Sequence, residues 1–377
     1  MKKSLLVVCK AIPFESGGAA GIIRNLFQNS TPAEEIVLIG RKPKTEVYYD
    51  ILQLPYKTEI LPLSAGEETF IKKITKLLYS LILGIKFRKK YNANVVLGIY
   101  RDESSFILSY LISILSGKPL FVYITDLYGE NYENRSKKIF QKIVFHRAKK
   151  IFCLTEGMQQ VYKDEYNLDT IVIPHCVNDI PKVKPRKYPN QPFKILFSGS
   201  IVHDRLDLLQ NLVQLIGNKK EYKLRLLCPH DNDFLEANNL LADNVTNAFI
   251  YSNEEMLMEL KKADLLYLPL TFKKPFSQRS FFQLKSCLGT KSFDYMQSGV
   301  PILVHSPKQY LTYQYFENRN MAFLLNSSNL EELKNKIEWI RNNYETAEEL
   351  SKTALSCLNE NDGKRIYKLL IKSIFHE

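Results

Sequence analysis

The chain reads as an α/β protein of two consecutive doubly wound domains, and three observations predict it. Its 377 residues exceed what one hydrophobic core usually serves, at about 150 residues per domain. Apolar runs of strand length alternate with helix-periodic segments, the pattern of parallel sheets covered by helices on both faces. Residues 179–193, DIPKVKPRKYPNQPF, hold four prolines and four basic residues without periodicity, and so read as a linker.

Each element follows from its pattern. In the first domain, residues 1–178, strands are expected at 4–10, 35–41, 93–100, 119–125, 150–155 and 170–174, where aliphatic residues run together. Helices are expected at 19–28, 70–91, 104–116, 135–147 and 156–166, where apolar residues recur every three or four positions. The second domain, residues 194–360, repeats the alternation: strands at 193–198, 223–228, 247–251, 264–270 and 300–304, and helices at 204–216, 233–241, 253–262, 329–343 and 346–359. Residues 361–377 carry a last helix, 363–375.

Composition excludes several classes. With 45% hydrophobic and 24% charged residues, disorder is not indicated. The six cysteines stand singly at 9, 153, 176, 228, 287 and 357, without CxxC pairs or metal-finger spacing, as reduced residues of a cytoplasmic protein do. The N-terminal apolar run is too short for a secretory signal, and no run reaches the roughly 18 residues needed to span a bilayer.

Charge is unequally shared. Residues 1–190 hold 29 Lys and Arg against 18 Asp and Glu, and residues 191–377 hold 23 against 22, a net of +11 against +1. The excess concentrates in two helix-like segments, 70–91 and 135–150, where lysines flank apolar residues such as Ile71, Ile74, Leu78 and Ile82. Such a surface suits anionic lipid headgroups, peripheral at the inner face of a membrane. The alternative is that the stripe packs on its own sheet beneath solvated lysines. Nucleic acid is not expected as a partner, because no finger, helix-turn-helix or aromatic RNP pattern occurs.

The most informative stretch is LGTKSFDYMQSGVPILVH, residues 288–305. A turn with Gly289 leads into a short helix bearing Lys291 and Asp294 in its first turns, then a second turn at Gly299 and a buried-type strand. A helix N-terminus has unpaired amides and a positive dipole, so Thr290, Lys291 and these amides suit a phosphate. Asp294, nearly one turn on, is placed to reach vicinal sugar hydroxyls.

This stretch resembles the C-terminal donor-site motif of GT-B glycosyltransferases, in particular the GT4-like group with its pattern P-T-K-x-x-E-Y-x-x-x-G-x-P-V-I. The match runs from Gly289-Thr290-Lys291 through Asp294-Tyr295 to Gly299-Val300-Pro301-Ile302. Asp294 replaces a Glu that in relatives holds the ribose, and Ser286 stands where the family has an earlier acid. The resemblance implies two Rossmann-like domains facing a cleft and a nucleoside-diphosphate sugar as donor. It also implies no cofactor beyond that substrate, and a last helix returning to the first domain.

Further constellations agree with a phosphate ligand. Gly17 and Gly18, between the first strand and helix, let backbone amides approach a ligand, or only make a tight turn. FSGSIVHDRLDLL is similar to the family's G-R-L-x-x-x-K-G, with Gly199 at the turn and Arg205 where a Lys usually meets the leaving phosphate, while Ser200 replaces an Arg. Tyr251 and Ser292 complete the donor-site candidates. Asp126, after a strand of the first domain, is the candidate to orient an acceptor hydroxyl, or is an N-cap; Thr125 stands where relatives often have His. His203 reads as incidental, and Asp231-Asn232-Asp233 as a helix-capping loop rather than a metal site.

These readings converge on a metal-independent hexosyl-type transferase acting on a glycan or lipid-linked acceptor in bacterial surface polysaccharide assembly, retaining by analogy. Its catalytic residues would be Asp126, Arg205 and Lys291. The alternatives are a catalytically silent GT-B subunit and a sugar-nucleotide epimerase.

Overall fold

The computed structural model describes residues 3–13, 18–41, 55–63, 68–100, 103–127, 135–182, 188–274 and 278–376. The chain divides into two compact units, one of residues 1–178 with 361–377 and one of residues 179–360.

Unit 1 runs β1 (Lys3–Ala11), α1 (Gly18–Phe27), β2 (Glu34–Arg41), β3 (Lys57–Leu61), α2 (Phe70–Lys90), β4 (Val95–Tyr100), α3 (Glu103–Ser116), β5 (Leu120–Ile124), α4 (Arg135–Arg147), β6 (Ala148–Cys153), α5 (Glu156–Tyr166) and β7 (Ile171–Val172). Its seven strands lie in the order β3-β2-β1-β4-β5-β6-β7, and every pair is parallel. Leu5 to Val8 of β1 have no exposed surface because β1 is central and both its faces are covered. The apolar residues that make these strands legible are the ones a two-sided sheet must bury.

Unit 2 runs β8 (Phe193–Ser198), α6 (His203–Ile216), β9 (Tyr222–Leu227), α7 (Asn232–Ala237), β10 (Val245–Ala248), α8 (Asn253–Leu260), β11 (Leu265–Pro269), α9 (Gln278–Ser286), α10 (Lys291–Ser298), β12 (Ile302–His305), α11 (Leu311–Glu317), β13 (Phe323–Leu325), α12 (Leu330–Asn342) and α13 (Tyr344–Cys357). The sheet order is β10-β9-β8-β11-β12-β13, again all parallel. The order reverses between β8 and β11, and in such sheets ligands bind beyond the carboxyl ends of the strands at that reversal. Gly199 follows the last residue of β8.

The last helix, α14 (Gly363–Phe375), belongs to unit 1 and packs on α1. The hydroxyl of Tyr367 donates to Glu34 at 2.9 Å, and the Tyr367 ring meets Phe27 edge-on.

Several elements differ from their sequence-based bounds. The strand expected at 247–251 is Val245–Ala248, because its ladder to β9 runs only from Val245–Leu224 to Ala248–Leu227. The helix expected at 233–241 stops at Ala237, where Asn238 caps it and Asn239 turns left-handed at φ 54°. Among the described residues β3, α9, α11 and β13 had no sequence signal strong enough to name them. β3 is an edge strand of five residues of which only Leu61 is buried, and β13 has three residues.

Candidate functional site

At the carboxyl end of β8 the backbone turns at Gly199, whose φ of 120° disfavours any residue with a side chain. The end of the Lys291 side chain, Cε and Nζ, fills the space a Cβ at Gly199 would occupy. Arg205, in the first turn of α6, reaches back so that Nη1 donates to the Ser200 carbonyl at 3.1 Å. Its Nε is shielded from solvent without a hydrogen-bond partner. Two cations from helices 86 positions apart in sequence thus converge on one glycine turn.

Their electrostatics are unfavourable in the free protein. Burial, and then the Arg205 guanidinium, push the Lys291 ammonium down to about 8, partly offset by Asp294. Burial likewise lowers Arg205, against the pull of Tyr295 and Asp204. Among the described residues neither forms an ion pair. Half-buried cations without a counter-ion favour an anion between them.

A buried tyrosine holds this arrangement. Tyr295 of α10 has no exposed surface; its hydroxyl accepts from the Ser198 amide at 2.8 Å and donates to the Tyr267 carbonyl at 3.3 Å. It ties α10, and so Lys291, to the end of β8 and the middle of β11. Behind it the Tyr267 hydroxyl lies 2.6 Å from His305 Nδ1, and His305 Nε2 lies 2.5 Å from the Ser327 carbonyl. Burial lowers His305 to about 4, so this histidine is neutral, donating from one nitrogen and accepting at the other. On α6, Asp207 accepts from the Thr271 hydroxyl at 2.9 Å and the Asp204 carbonyl from the Thr271 amide at 2.8 Å, fixing the helix start against the end of β11. Sequence reading missed these supports, because hydrogen bonds between residues 97 or 38 positions apart leave no local pattern.

The other candidates are placed as follows. Thr290 precedes α10 with its hydroxyl making no capping bond, and Asp294 is exposed in the first turn. The amides of Ser292 and Phe293 are taken by the carbonyls of Gly289 and Thr290, both at 3.0 Å, so they are not among the open donors of this helix end. Ser292 is buried, its hydroxyl without a hydrogen-bond partner. Tyr251 lies beyond β10, exposed, edge-on against Phe249 and just before α8, which packs on α10. Ser286 is buried and donates to the Phe282 carbonyl at 2.7 Å. Asp231 caps α7 by accepting from the Phe234 amide. His203 opens α6, exposed. In unit 1, Gly18 is the exposed first residue of α1 and Gly17 lies outside the described residues. Asp126 is half-buried, two residues beyond β5.

Neither a protein-family model nor a curated protein matches the chain by sequence. Solved structures do match it over its length. A glycosyltransferase from Rickettsia africae superposes with a TM-score of 0.71 at 15% identity, covering 100% of this chain and 99% of that one. Anabaena HepE in complex with UDP-glucose gives 0.68 at 11% identity, with 98% of each chain covered. The fold is GT-B. A Listeria monocytogenes structure described as a UDP-N-acetylglucosamine 2-epimerase also matches, at 0.64 and 13% identity over 99% and 96% of the two chains. The GT-B fold thus serves more than one chemistry, and the choice rests on the residues of the site.

Proposed function

We propose that the chain is a glycosyltransferase whose second unit binds a nucleoside-diphosphate sugar and whose reaction moves that sugar to an acceptor hydroxyl. The observation that carries this reading is the convergence of Arg205 and Lys291, without a counter-ion, on the Gly199 turn at the reversal point of the sheet. A diphosphate supplies the anion they lack. When the bond from the anomeric carbon to the phosphate oxygen breaks, the diphosphate gains negative charge, and cations already in place stabilise it without reorganising. Arg205 with its fork and Lys291 as a point charge are suited to this, which makes them the catalytic pair. Thr290, with its hydroxyl unused in capping, is a further phosphate donor, and Asp294 accepts from the ribose.

Asp126 is proposed to orient the acceptor hydroxyl or take its proton. The acceptor is proposed as a glycan or lipid-linked saccharide in surface polysaccharide assembly, presented at the inner face of a membrane. Transfer is proposed to retain configuration and to need no metal. That HepE is seen with UDP-glucose supports a uridine donor here.

A second reading, a silent GT-B subunit, is favoured by Ser286, which stands buried and turned to a backbone carbonyl where relatives carry an acid. An epimerase is less well supported. Calorimetric titration with UDP, GDP, CDP, ADP and dTDP, followed by turnover with the matching sugars and membrane lipid extract, separates these. Binding with transfer supports the transferase, binding without transfer or epimerisation the silent subunit, and no binding by any nucleotide overturns the donor site.

A further inference from the structure

We infer that unit 1 docks on an anionic lipid bilayer through the layer formed by α2, α3 and α4, with apolar side chains of α2 entering the headgroup region. This rests on the membrane-presented acceptor for its purpose, while its support is independent of the donor site.

The three helices lie on one face of the sheet. The steps from β3 to β4, β4 to β5 and β5 to β6 all run the same way along the strand order, and right-handed crossovers put their helices on the same side. Side chains agree: Gly84 of α2 lies against Ile112 of α3, and Phe106 and Tyr110 of α3 meet Phe140 of α4 edge-on.

Helix α2 packs in an unusual sense. The residues it buries fully are small, Ser80 and Gly84. One stripe of its large apolar residues faces solvent, Ile71 at 76% exposed, Ile74 at 42%, Leu78 at 56% and Ile82 at 64%, spaced three and four apart, while Leu77, Leu81, Leu83, Ile85 and Phe87 are half-buried. Phe70 and Tyr79 are also exposed. Neighbouring helices add Ile114 and Leu115 of α3 and Ile139 and Ile143 of α4. An apolar patch of this extent normally marks a binding surface.

Charge selects the occupant. Neither α2 nor α4 contains an Asp or Glu, and α3 has only Glu103 at its start. Lys72, Lys73, Lys86 and Lys89 of α2 and Lys142 and Arg147 of α4 are exposed, while Lys90 is held by Glu59 and Lys76 by Glu68. A second copy meeting this face isologously would set cations against cations. Nucleic acid would satisfy the lysines and leave the aliphatic stripe in water. Anionic headgroups satisfy the lysines, and the acyl boundary receives Ile71, Ile74, Leu78 and Ile82. Among the described residues no helix is long and apolar enough to cross the membrane, so the contact is superficial.

The test is sedimentation with phosphatidylcholine vesicles with and without phosphatidylglycerol, for the wild type, for Lys72→Gln/Lys73→Gln/Lys86→Gln/Lys89→Gln and for Ile71→Ser/Leu78→Ser/Ile82→Ser. Wild type should bind only anionic vesicles, with each variant at least tenfold weaker and its thermal midpoint retained. The inference is overturned if wild type ignores anionic vesicles at low salt, or if the serine variant binds as well as wild type. It is equally overturned if light scattering finds a wild-type dimer that the serine variant abolishes, which assigns the face to a second copy. Nucleotide titration of the same proteins reads the donor site separately, so either reading can fail while the other stands.

Discussion

The ammonium end of Lys291 lies over Gly199, in the space that a side chain at that turn would need. Glycine is therefore required twice at this position, once for its φ of 120° and once to leave room for the cation. Gly199→Ala should cost about 1 kcal/mol or more in folding and, because the lysine end yields before the backbone does, should move the ammonium off the turn. Nucleotide affinity should fall at least tenfold by calorimetry. Unchanged affinity would detach Lys291 from the ligand.

Two neighbouring cations without a counter-ion weaken the free protein, so the site and stability pull in opposite directions. Lys291→Met should leave the thermal midpoint of the free protein unchanged or higher, while turnover falls by roughly two powers of ten. Arg205→Ala should lower turnover similarly. A variant with wild-type turnover would remove that residue from the reaction.

The pH dependence has opposite signs with and without ligand. Lys291 titrates near 8 in the free fold and at 10.5 when exposed, so between these values the unfolded chain binds more protons, and this lysine makes the free protein more stable as pH rises. A diphosphate holds the charged form, so nucleotide affinity should decline as pH rises through 8, with proton uptake on binding at pH 9. Calorimetry in buffers of different ionisation enthalpy measures that uptake. Its absence at pH 9 would mean that no bound phosphate senses this ammonium.

Asp294 stands exposed in the first turn after Lys291. Asp294→Asn should lower nucleotide affinity about tenfold, since a hydrogen bond to a charged group contributes about 1.5 to 3 kcal/mol. The loss should be much smaller for a 2′-deoxynucleotide. Equal losses for both would place the carboxylate away from the ribose.

Tyr295→Phe removes a buried hydroxyl that accepts from Ser198 and donates to the Tyr267 carbonyl. Leaving the Ser198 amide unsatisfied should destabilise the protein by about 1 to 3 kcal/mol in denaturant titration. It should also weaken nucleotide binding, because Lys291 is held to the turn through this tyrosine. Full stability would deny the hydroxyl a structural role.

The sequence by itself determined the fold class and most elements, and it singled out Arg205 and Lys291, two cations that the fold brings to one turn. Two-sided parallel strands must be apolar throughout, and a Gly-bearing turn before a helix is a local pattern; β8, α4 and α14 lie where their residues alone placed them. Only the tertiary structure decided how these parts meet. That Lys291 crosses Gly199, that Tyr295 ties α10 to β8, and that Ser292 is buried while Thr290 is not, depend on helix rotation and on contacts between residues nearly a hundred positions apart. The stripe on α2 shows the same division. Its period announced an amphipathic helix, yet Ile71, Ile74, Leu78 and Ile82 face outward because Ser80 and Gly84, the small residues, let α2 approach α3 most closely on the other side. A one-dimensional pattern records which residues share a helix face, whereas packing decides which face is covered.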